Sequence, residues 1–186
     1  MDRKSFSGFT LIELIMTMLV ASVLAGTGAY LLVGLVYDSV ATPNKLIVGV
    51  VADDVLDAVT EGTAQAGGLR WATNLTAISA TSVAYREADG HSVVFSWDSS
   101  ARRIYCSVDG NASTPVPSYV PKDVFVDRVG SNPIFSYFDA NGSATADPNA
   151  VRRVEMQFAA QSGSGKREDW QYASAYLSGI AVRKFQ

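Results

Sequence analysis

The chain has 186 residues, 48% of them hydrophobic, and a formal net charge of −3. That length suits one ordinary domain plus an accessory segment, and the hydrophobic content excludes wholesale disorder. The acidic balance and the lack of a Lys/Arg-rich run leave no basic surface, so nucleic-acid binding is not a default reading.

The apolar residues crowd toward the start. Glu13 is the only charge between Lys4 and Asp38, and Leu14 to Tyr37 is a run of 24 residues without one. As a helix that run spans roughly 36 Å, more than the ~30 Å hydrocarbon core of a bilayer. Three readings compete for it. An ordinary secretory signal would be cut after Val23-Leu24-Ala25. That reading buries Glu13 in the apolar region and leaves GTGAYLLVGLVY as a greasy new terminus. A plain single-pass anchor, with Arg3 and Lys4 held on the cytoplasmic side, explains the hydrophobicity and the orientation. It does not explain Glu13, whose burial in lipid costs on the order of 2–3 kcal/mol.

The third reading starts from the residues before the charge. A short polar leader, MDRKSFSG, ends in Gly8 and is followed at once by Phe9-Thr10-Leu11-Ile12-Glu13. The stretch GFTLIELIMTMLVAS resembles the type IV prepilin (class III) signal. The resemblance implies cleavage by a prepilin peptidase between Gly8 and Phe9, N-methylation of Phe9 and an assembly role for Glu13. In that family the carboxylate is thought to meet the N-terminal amine of a neighbouring subunit as the chain leaves the bilayer for a filament. Pairing recovers part of the cost of an ion isolated in lipid. Pairing with its own amine, one helical turn away, satisfies the same physics, so the partner stays open.

Ala21, Ala25 and Ala29 recur at four-residue spacing, as do Ser22 and Gly26, which permits close helix approach in an apolar setting. Gly26-Thr27-Gly28 is no nucleotide fingerprint, because it lies inside the span instead of after a strand. Pro43 is expected to bend or interrupt the helix. Beyond it Lys45, Gly49, Asp53, Asp57 and Glu61 form a non-apolar stripe, with Ile47, Val51, Val55 and Val59 on another face. Asp53, Asp54, Asp57 and Glu61 read as a solvated helix face and not as a metal cluster.

After Gly68 the period changes to two. Ser82 to Glu87, His91 to Asp98 and Arg102 to Val108 read as an antiparallel meander, with a tight turn at Asp89-Gly90. Cys106 is the only cysteine, so no intrachain disulfide forms, and its alternation with Ile104 and Val108 marks a core position. GNASTPVPSYVPKD reads as a long surface connection. Ile134 to Phe138, Val151 to Phe158 and Tyr176 to Arg183 read as further strands, with a Gly/Ser loop at residues 162–166.

The expected fold is therefore α+β: a long N-terminal helix packed on an antiparallel β-sheet, the layout the pilin resemblance also implies. The expected divisions are a leader at 1–8, a helix at 9–66 and a sheet domain at 67–186. Within the helix, 9–37 is the membrane or filament half and 43–61 the amphipathic half. FSYFDANGS, VRRVEMQF and YLSGIAVRK look like the endings of larger minor pilins and J-type minor pseudopilins. Glu13 counts against the K-type tip pseudopilin, which typically lacks that residue.

Other candidate sites are weak. Gly165-Lys166 lacks the first glycine and the Ser/Thr of a phosphate loop. Asp139, Asn141, Ser143, Thr145 and Asp147 alternate oxygens, but the glycine is misplaced for an EF-hand, so turn chemistry is expected and calcium is the lesser alternative. His91 is the only histidine, and no hydrolytic triad assembles around it. No catalytic residue, metal or cofactor is assigned. The expected partners are prepilin peptidase, other pilin or pseudopilin subunits, an inner-membrane assembly platform, and membrane lipid before assembly. The resemblance implies a single-pass inner-membrane protein with a cytoplasmic N-terminus, later part of a periplasmic or cell-surface filament. The competing reading is an anchored, exported binding module that presents aromatics such as Trp71 or Trp170.

Overall fold

The computed structural model describes residues 10–119, 124–162 and 171–181. Two compact units divide at Pro43, the first covering Met1–Pro43 and the second Asn44–Gln186. One helix, α1 (Leu11–Thr60), contributes to both. Its helical pattern runs through Pro43, so the expected interruption is absent there. Proline removes a single donor, and the flanking backbone bonds keep the helical path.

In the first unit, α1 shows its apolar side chains to the outside along the whole of Leu11–Val36, a stretch of mean hydropathy 2.1 with none of it buried. In the second unit, the helix becomes one-sided. Val48, Val51, Ala52, Val55 and Val59 are buried, whereas Asp53, Asp54 and Asp57 are exposed. The inward spacing follows the 3.6-residue period. Ile47, expected on the buried face, is 40% exposed, and Val48 takes the inward position instead. The helix stops where Glu61 and Gly62 N–H both donate to the Asp57 carbonyl, at 2.7 and 3.3 Å. Gly62 then turns the chain with a φ of 119°, a conformation that favours glycine.

A 3-10 turn at Leu69–Trp71 leads into the first of two antiparallel sheets. That sheet runs in order through β1 (Ala72–Ile78), β2 (Ser82–Glu87), β3 (Ser92–Asp98), β4 (Arg103–Val108) and β5 (Thr114–Val116). The expected meander is its centre. β1 escapes a period-two reading because two register shifts, between Ala72 and Asn74 and between Leu75 and Ala77, break its alternation. β5 lies within the stretch expected to be only a surface connection. Its Val116 is buried and pairs with Ile104.

The second sheet is built on β8 (Arg153–Ser162). β6 (Val124–Asp127) and β7 (Phe135–Phe138) pair with β8 at its two ends, and β9 (Gln171–Ala181) also pairs with it. The strands therefore make two sheets and not one. Their inner faces share one core with the C-terminal turns of α1: Tyr85 and Phe95 from the first sheet, Phe135 and Phe158 from the second, Val55 from the helix. Cys106 sits in this core as its spacing indicated, and burial pushes its thiol up to about 11. Bonds also tie the sheets together. Trp97 Nε1 donates to the Val126 carbonyl at 2.9 Å, and the Tyr137 hydroxyl reaches the Ser82 carbonyl at 2.7 Å.

Candidate functional site

Of the site residues expected from the sequence, Glu13 lies at the start of α1. Gly8 and Phe9 lie outside the described residues. Thr10 stands immediately before the helix and Glu13 is in its first turn. The Glu13 N–H donates to the Thr10 carbonyl at 3.1 Å and to its Oγ1 at 3.4 Å, and the Thr10 hydroxyl donates to Glu13 Oε2 at 3.4 Å. Thr10 Oγ1 thus caps the Glu13 N–H, and its hydroxyl ties down the Glu13 carboxylate, a side-chain contact in place of the return bond to the Thr10 N–H that completes a capping box. A carboxylate there also meets the positive end of the helix dipole. Thr10 is the functional neighbour that reading for charge alone missed, although its spacing of three from Glu13 is visible in the sequence.

The cap holds Glu13 at the surface of the helix. It shares a shallow groove with Met16, Thr17, Val20, Ala21 and Leu24, a single face of the apolar span. The Thr and Ser hydroxyls along that span are turned back on their own helix. Thr17 Oγ1 donates to the Leu14 carbonyl at 2.9 Å, Ser22 Oγ to Leu19 at 2.8 Å, and Thr27 Oγ1 to Val23 and Leu24 at 3.0 and 3.1 Å. Hydroxyls satisfied in this way do not need water, so the span can enter hydrocarbon at little polar cost. Glu13 is its one residue charged at neutral pH. A Cβ added at Gly26, Gly28 or Gly34 would meet nothing within 4 Å. The chain's own packing therefore does not require the small residues of this helix.

Elsewhere, geometry assigns the alternatives to ordinary structural work. Asp139 Oδ1 accepts from the N–H groups of Asn141 and Ser143 at 2.8 and 2.9 Å, and Asp147 Oδ1 accepts from Asn149 at 2.9 Å. These are turn-forming bonds. No group of three or more His, Cys, Asp or Glu placed to hold a metal occurs among the described residues. Trp71 is 59% exposed, as a docking aromatic would be, whereas Trp170 and the Gly165-Lys166 loop lie outside the described residues.

Residues 3–29 match the family model for the prokaryotic N-terminal methylation motif. No curated protein and no solved structure matches the chain. The matched segment is the class III prepilin signal, and it covers the Gly8–Phe9 junction, Thr10, Glu13 and most of the exposed apolar helix. The α+β layout, one long helix with antiparallel strands behind it, is consistent with a pilin-like fold. The motif implies processing by prepilin peptidase and indicates a structural protein with a membrane-anchoring helix.

Proposed function

We propose that the chain is a structural subunit, and a minor one, of a type IV pilus, a type II secretion pseudopilus or a related DNA-uptake filament. In this reading prepilin peptidase cuts between Gly8 and Phe9 and Phe9 is methylated. The bilayer holds Leu11–Val36 until an inner-membrane assembly platform moves the subunit into the filament. Arg3 and Lys4 keep the leader cytoplasmic, and the domain after the span is exported. Glu13 then pairs with an N-terminal amine at the assembly site, which offsets the cost of a lone carboxylate in lipid.

One observation carries the reading: the methylation motif runs directly into an exposed apolar helix whose single charged residue is Glu13. An apolar surface of this extent needs lipid or protein around it. The glycines that nothing in the chain requires supply flat places for other helices to approach. The test is expression with and without an active prepilin peptidase, mass spectrometry of the N-terminus, and fractionation of sheared filaments. The expected product begins at methylated Phe9 and travels with the filaments. A chain that keeps residues 1–8 beside an active peptidase, or stays wholly in the membrane fraction of a filament-forming cell, defeats the proposal. The second outcome alone would favour the binding-module reading, for which exposed Trp71 is the supporting feature.

A further inference from the structure

Two turns meet on either side of His91. In the β2–β3 turn, Asp89 Oδ1 accepts from the His91 N–H at 3.2 Å, and Asp89 Oδ2 lies 3.8 Å from ring nitrogen Nε2. In the turn after β4, Asp109 Oδ1 accepts from the Ser92 N–H at 2.8 Å, and Asp109 Oδ2 lies 2.5 Å from ring nitrogen Nδ1. The Asp109 N–H donates back to the Ser92 carbonyl at 2.7 Å. Asp109 has a φ of 54°, in the left-handed region that side chains other than Gly, Asn and Asp seldom adopt. Both faces of the imidazole edge are thus occupied by carboxylates, one from each turn.

We propose that His91 is a proton-operated latch that joins the tips of the β2–β3 and β4–β5 turns. Carboxylates only accept hydrogen bonds. A neutral imidazole donates from one nitrogen and presents a lone pair at the other, whereas the imidazolium donates from both. The neutral ring can keep the Asp109 bond through Nδ1, but only the charged ring also attracts Asp89, whose Oδ2 lies 3.8 Å from Nε2, beyond hydrogen-bond reach. The surrounding charges act in the same direction. Glu87 on β2, Asp89 and Asp109 are three carboxylates acting on one another and on the ring, and Arg86 is the cation acting on Asp109. A positive ring relieves an excess of negative charge.

The titration follows from this geometry. The hydrogen bond and charge of Asp109, then the charge of Asp89, hold His91 above its ordinary range. The Ser92 N–H and the His91 contact hold Asp109 below the usual carboxylate range. A folded-state histidine raised above its unfolded value stabilises most below the unfolded value, and that contribution is lost as pH rises through the folded one. The turn at Asp109–Asn111 is thus held more tightly below the His91 midpoint than above it, where the two bonds between Asp109 and Ser92 remain. The latch stands on the geometry of the domain and is independent of which filament, if any, the chain joins.

Because His91 is the only histidine, NMR of its ring in the full chain in detergent micelles gives a single titration curve. The expected midpoint lies above that of an unperturbed histidine. Asp109→Asn should lower it strongly and Asp89→Asn less. Amide protection at Asp109 and Asn111, corrected for intrinsic exchange, should fall as pH crosses the wild-type midpoint and should stay flat in His91→Gln. A wild-type midpoint at or below the ordinary value overturns the latch. So does a midpoint unmoved by both aspartate substitutions, or protection that is flat across the wild-type midpoint.

Discussion

Thr10 and Glu13 grip one another across the first turn of α1, each contributing a side-chain contact at 3.4 Å. The contact gives Glu13 a role in the helix cap that is separate from any role between subunits. Both roles fall on one carboxylate, and substitution can separate them.

Thr10→Ala removes the cap and leaves the carboxylate, whereas Glu13→Ala removes the carboxylate and keeps the bond from the residue 13 N–H to Thr10 Oγ1. The lost cap should cost about 1 kcal/mol of helix stability. If Glu13 serves assembly, Thr10→Ala should still enter sheared filaments at close to wild-type levels. Glu13→Ala should insert in the membrane and fail to enter them. Immunoblots of the membrane and filament fractions check both, and equal loss in the two variants would reduce Glu13 to a capping residue.

Glu87 tests the cost of a buried charge at the end of β2. It is 7% exposed, and its Oε1 has no hydrogen-bond partner among the described residues. Burial, with the charge of Asp89 added, raises its pKa, and the nearby Gly67 N–H opposes the rise. A carboxyl raised in the folded state binds protons more tightly there than in the unfolded chain, so its ionisation costs stability as pH climbs past the usual glutamate range. Glu87→Gln should raise the thermal unfolding midpoint at neutral pH. The gap should close as pH falls below about 4, where the unfolded glutamate is protonated too.

Gly68 and Gly26 should respond in opposite ways to the same methyl group. A Cβ at Gly68 would lie 2.3 Å from the Thr60 carbonyl oxygen and 2.6 Å from the Gly62 nitrogen, both backbone atoms. Gly68→Ala should therefore destabilise the domain by about 3 kcal/mol. Gly26→Ala meets nothing in its own chain and gains about 1 kcal/mol of helix propensity. It should fold and insert normally. Any defect should appear only in the filament fraction, where a neighbouring helix would meet the added methyl.

Asp127 is the acceptor at the seam between the sheets. Its Oδ2 takes Arg102 Nε and Nη2, each at 2.8 Å, and Gln161 Nε2 at 3.1 Å. Asp127→Ala should cost about 1–2 kcal/mol, since bonds to a charged group are strong but this one is partly screened by water. Arg102 and Gln161 remain beside the gap, so Asp127→Asn should recover a part of the loss. Urea unfolding of the three proteins measures the series.

Much of this was legible before any coordinates. The leader, Gly8, Phe9 and Glu13 form a local pattern, and a local pattern needs no tertiary knowledge to be read. The buried faces of β2, β3, β4 and β8 follow plain alternation: Val83 and Tyr85, Val93 and Phe95, Ile104 and Cys106, Val154 and Met156. β1 was not legible, because its bulges place Ala72 and Leu75 inward at a spacing of three. β5 and β6 lie in and beside a proline-rich stretch whose composition says loop, and their strand character comes from partners far along the chain.

The sequence by itself determined that an apolar helix with one carboxylate follows a short polar leader ending in Gly8, because charge spacing and hydrophobic run length act within a few turns of one helix. It also determined the antiparallel α+β class, through the change of period after Gly68. Only the tertiary structure decided that the strands divide into two sheets sharing one core, that Glu87 is buried at the end of β2, and that His91 stands between Asp89 and Asp109. Those outcomes depend on which distant strands pair and in what register. A shift of one residue would reverse every side chain's face, and periodicity alone does not encode the choice of partner.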